Sequence, residues 1–98
     1  MKIRIVKMVF KPDQVAAFKS LFEEHKSDIR AVKGCHRLEL LQDQNHPNIF
    51  FTYSWWEEEN NLIDYKNSEL FGKVWPETKA LFLDKPEAWT LEQVHVLD

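Results

Sequence analysis

The segment IFFTYSWW, residues 49–56, constrains this chain more than any other. Successive side chains of a strand point to opposite faces. Ile49, Phe51, Tyr53 and Trp55 would therefore share one face, and Phe50, Thr52, Ser54 and Trp56 the other. A sheet with one solvated face alternates apolar with polar residues, and this segment is aromatic on both sides. With 98 residues the chain is a single domain, 1–98, with material for one thin core. No spare element is left to cover a second sheet face. At about 25 cal/mol per Å², leaving Phe51, Tyr53 and Trp55 in water would forfeit several kcal/mol, comparable with the stability of a small domain. The expectation is a homodimer, sheet packed on sheet about a two-fold axis. One of the two adjacent indoles, Trp55 or Trp56, then serves the helix side of the sheet and the other the subunit interface.

The remaining elements follow from periodicity. Residues 2–10 alternate as a strand, with Ile3, Ile5 and Val9 against Val6, Met8 and Phe10. Pro12 and Asp13 open a helix whose stripe is Val15, Phe18, Phe22, His25, Ile29 and Val32, and Gly34 stops it. CHRLELLQD reads as a second strand with His36, Leu38 and Leu40 on one face, and QNHPN as a turn into the third. Glu57–Glu59 mark a helix start, Ser68 caps a further helical stretch, and Pro76 is expected to kink or restart it. Residues 87–97 alternate as a last strand. The order β-α-β-β-α-β is ferredoxin-like, an α+β fold with helices on one face of a four-stranded antiparallel sheet.

Composition narrows the function classes. The formal charge is −3 with both signs interspersed, so no basic stripe tracks nucleic acid. No apolar run reaches the 18 residues of a membrane span. The single cysteine, Cys35, excludes an internal disulfide and fits a cytoplasmic location. The four histidines stand singly, without zinc spacing, and two glycines leave no room for a phosphate loop or dinucleotide fingerprint. Cys35 reads as a small buried hydrophobe rather than a nucleophile.

Three segments, GCHRLELLQD, FFTYSWWEEENNLIDYKNSELF and KALFLDKPEAW, resemble the antibiotic biosynthesis monooxygenase (ABM) family. The matching details are the Gly-Cys opening of strand two, Trp-Glu-x-Glu at Trp56–Glu59, and the spacing of Tyr65, Ser68 and Phe71. The resemblance implies a dimeric α+β barrel with a ligand cleft between sheet and helices in each subunit. It also implies oxidation of a small phenolic or quinol-type aromatic by O₂ without metal or flavin. The haem-degrading branch of such folds ligates iron with a His where this chain has Trp75. Mutarotase-like relatives place Tyr and His where it has Phe18 and Phe22. Fold alone does not choose among activities, and a non-catalytic module binding a small hydrophobic ligand, or a mutarotase-like isomerase, are the alternatives.

On that resemblance His25 is the candidate base, a neutral imidazole able to take a phenolic proton near pH 7, and His36 a weaker candidate. Phe22, Tyr65, Phe71 and Trp75 are candidate substrate-binding walls. For His25, Tyr65, Phe71 and Trp75 ordinary core packing is the competing explanation, whereas His36 could face either the cleft or the dimer barrel.

Overall fold

The computed structural model describes residues 1–98. Strand β1 (Lys2–Val9) leads through a 3₁₀ turn (Pro12–Gln14) into helix α1 (Val15–Arg30). Then come β2 (Cys35–Gln42), β3 (Ile49–Trp56), α2 (Glu59–Lys66), α3 (Glu69–Lys79) and β4 (Glu87–Glu92). The strands form one antiparallel sheet in the order β2-β3-β1-β4, the ferredoxin-like arrangement, with the second helical layer divided in two.

Local chemistry sets the boundaries. Gly34 adopts φ +85, the left-handed region that glycine enters without strain, and turns α1 into β2. The Arg30 guanidinium donates to the Cys35 carbonyl oxygen at 2.7 Å, tying the helix end to the new strand. The Asn61 Oδ1 accepts from the Glu58 N–H at 3.0 Å, so Asn61 caps α2. Ser68 Oγ accepts from the Phe71 N–H at 3.2 Å and so caps α3 as its sequence position predicts.

Two expectations change. Pro76 does not restart the helical stretch, because α3 runs through it from Glu69 to Lys79. The carbonyl it leaves unpaired belongs to Gly72, an exposed residue whose oxygen water can satisfy. The last strand stops at Glu92 rather than near residue 97, since β4 pairs only with β1, whose register ends at Lys2 opposite Glu92.

Phe10 is fully buried and stacks on Phe18 of α1 with ring centroids 4.0 Å apart. Met8 and Phe50 complete this cluster. A second cluster joins Cys35, Trp56 and Leu62. Both lie between sheet and helices. The opposite sheet face carries no helix. Across it, in register, run Arg37, Trp55, Ile3 and Leu91, and next to them Glu39, Tyr53, Ile5 and Trp89. Trp89 and Leu91 are each nearly half exposed. The Trp55 Nε1–H is buried without a hydrogen-bond partner within the chain.

Candidate functional site

Between sheet and helices the two clusters leave a cavity of about 170 Å³. A dry apolar cavity of roughly 150 Å³ takes up benzene, so the space suits one aromatic ring. Its sheet side comes from alternate residues of the strands, among them Val6, Met8, Leu38, Thr52 and Ser54. Its helix side is an aromatic ladder. The Tyr65 ring stacks on Trp56 at 5.3 Å, Phe71 meets Tyr65 edge-on at 5.2 Å, and Trp75 stacks on Phe71 at 5.6 Å. The ladder exists because Ser68 ends one short helix and starts the next. Its Oγ donates to the Tyr65 carbonyl at 2.6 Å while accepting from Phe71, which fixes the two rings relative to each other.

The structure brings Phe22, Tyr65, Phe71 and Trp75 together on the wall. It does not bring the two histidines with them. His25 is buried on α1 between Phe22 and Ile29, both wall residues, but is not itself on the cavity wall. Its Nε2 lies 3.8 Å from the Glu24 carboxylate. His36 occupies a β-bulge, where the pairing steps from Cys35–Trp56 to Arg37–Trp55. The extra residue puts Cys35 on the helix side with Leu38, and leaves His36 exposed with Nε2 3.7 Å from Glu57. Strict alternation places His36 on one face with Leu38 and Leu40. The bulge breaks that alternation.

Few polar groups face the space. Ser54 Oγ is occupied by the Trp56 Nε1–H at 2.9 Å, and the Thr78 hydroxyl by the Val74 carbonyl at 2.8 Å. Burial, and secondarily Cys35, push the Tyr65 hydroxyl up to about 12, so it keeps its proton and its O–H is free to donate. Burial likewise raises the Cys35 thiol. Arg4 and Lys66 also line the cavity, and periodicity had singled out neither. The signal for Arg4 was present, since it shares a strand face with Val6 and Met8. No group of three or more His, Cys, Asp or Glu side chains is placed to hold a metal ion.

The family model of antibiotic biosynthesis monooxygenases matches residues 1–75. The chain belongs to that family. No curated protein sequence matches it. Among solved structures, one described as an antibiotic biosynthesis monooxygenase is 21% identical, with a TM-score of 0.91 over 97% of this chain and 100% of that one. A conserved protein from Methanosarcina mazei Go1 is 23% identical, with a TM-score of 0.87 over 93% and 91%. A putative antibiotic biosynthesis monooxygenase from Nitrosomonas europaea is 20% identical, with a TM-score of 0.87 over 97% and 100%. At such identities the likeness of this ABM domain to each of them is one of fold. No helix of the ABM domain is long and apolar enough to cross a membrane.

Proposed function

We propose that this ABM domain is a monooxygenase that oxidises a small phenolic or quinol-type aromatic with O₂ and needs no bound cofactor. The observation that carries the reading is the Tyr65–Phe71–Trp75 wall, set across a ring-sized cavity from the sheet. An electron-rich phenol, once ionised, passes an electron to O₂, and the pair joins at a ring carbon bearing hydrogen to form a C–OOH group. Loss of that hydrogen as a proton, with cleavage of the O–O bond, leaves a carbonyl. One oxygen atom stays in the product and the other departs as water. The chain's contribution is to orient the ring, exclude water and stabilise the phenolate. Tyr65, held neutral, donates to that phenolate. His25, behind the wall, is the candidate proton acceptor, and the exposed His36 has no part.

The test is O₂ consumption with a panel of single-ring hydroquinones and larger anthrones, using metal-free protein. A single-ring panel member oxygenated to a quinone with one O₂ consumed per product supports the reading, and no uptake above the uncatalysed rate across the panel rejects it. In a His25→Phe variant, a loss of about 10²-fold assigns the proton transfer to His25, whereas an unchanged rate removes it from the mechanism.

The second reading, a binding module without turnover, draws on the lack of any Asp, Glu or His on the cavity wall. Binding of the panel without O₂ uptake is its signature.

We also propose that the domain works as a homodimer through the uncovered sheet face. The in-register apolar rows there and the unpaired Trp55 indole N–H support this, because a buried donor without an acceptor costs roughly 1–3 kcal/mol. A cytoplasmic location is consistent with the single reduced cysteine.

A further inference from the structure

We infer that the cavity's ligand is an anion, a planar aromatic bearing one carboxylate or phenolate group, held by Arg4 and Lys66. This rests on the cavity being a ligand site, as proposed above, and adds the charge of what it takes. Acidic residues outnumber Lys and Arg by sixteen to thirteen in the chain, yet none lines the cavity. The two charged residues that do are both cations.

Neither cation is neutralised within the chain. The ion pairs involve Lys2, Lys7, Lys26, Arg37 and histidines, never Arg4 or Lys66. Arg4 lies in register between Ser54 and Thr90 on the neighbouring strands. One of its five N–H donors goes to the Thr90 hydroxyl at 2.9 Å, and Ser54 already accepts from Trp56. Glu92, two residues beyond Thr90 on the same strand face, is bound to Lys2 at 2.7 Å. Burial also lowers the Arg4 pKa, the mark of a guanidinium losing water without gaining a carboxylate. A partly desolvated cation with free donors and no counter-ion is a site for an incoming negative group. Lys66, the residue after Tyr65 on α2, lines the same cavity as the neutral Tyr65 hydroxyl. The aromatic ladder takes the ring, and the two cations and Tyr65 take the charge.

The experiment is calorimetric titration with matched probes of one ring: benzoate against benzamide, and 4-nitrophenolate against 4-nitroanisole. We expect each anion to bind about tenfold or more tightly than its neutral partner, the size of one charged hydrogen bond. Arg4→Gln and Lys66→Gln should each shrink that ratio while leaving neutral binding in place. The exposed position of Lys66 keeps the test available if the Arg4 variant fails to fold. Equal affinity for charged and neutral partners, or a ratio unchanged in the variants, overturns the inference. So does failure of all four probes to bind. The two anions separate a carboxylate ligand from a phenolate one. Anion-selective binding without O₂ uptake leaves this inference standing while the oxidation reading falls.

Discussion

The indole Nε1–H of Trp56 donates to Ser54 Oγ at 2.9 Å, a bond between two buried side chains on the same face of one strand. It lets a large aromatic with a polar edge sit in the core with its one donor satisfied. Removing the acceptor with Ser54→Ala leaves the N–H buried and unpaired, at a cost of about 1–3 kcal/mol. Chemical denaturation should show the midpoint falling with an unchanged slope. An unaltered midpoint would show that water replaces the hydroxyl.

Gly34 faces a different constraint. A Cβ placed there would lie 2.6 Å from the Asn61 Cβ, in a backbone conformation that L-residues rarely adopt. Gly34→Ala therefore combines positive-φ strain with displacement of the side chain that caps α2. We expect a loss of about 2 kcal/mol or more, read by thermal unfolding. The capping variant Asn61→Ala alone should lose about 1 kcal/mol.

The alkaline limb of stability should report Tyr65. Its folded pKa, about 12, lies above the ordinary 10.0 because burial disfavours the phenolate. The folded state thus holds the proton more tightly than the unfolded state. The resulting stability is fully present below pH 10 and is lost as pH rises toward 12. The difference between 10.0 and about 12 corresponds to about 2–3 kcal/mol. Tyr65→Phe should flatten the fall of the unfolding free energy across this window. The buried Cys35 thiol, also raised, adds a fall of the same sign, so the comparison is best made in a Cys35→Ala background.

The uncovered sheet face predicts an assembly. Ile5 pairs with Tyr53 on one side and Trp89 on the other, at the middle of the apolar rows. Sedimentation at micromolar concentration should give a mass of two chains, and Ile5→Lys should reduce it to one. A dimer that survives the substitution would assign its interface elsewhere.

Much of this architecture is written in the sequence, because local periodicity and capping need only neighbours along the chain. The parting of Trp55 and Trp56 follows from strand geometry alone. Ser68 and Gly34 announce their roles by residue type, and β-α-β-β-α-β follows from where the period changes. The sequence also determined that one face of the sheet would be left rich in apolar side chains. Tertiary structure decided the site. Helix periodicity put Phe22, His25 and Ile29 on one stripe, but only the docking of α1 on the sheet decided that the first and third would reach the cavity while His25 would not. A single inserted residue at the β2 bulge sent His36 to solvent and Cys35 inward, and no pattern of period two foresees its own interruption. That Arg4 from β1 and Lys66 from α2, more than sixty positions apart, line one cavity depends on packing between layers. Charge in a cavity belongs to the fold, since its neighbours in space are not its neighbours in the chain.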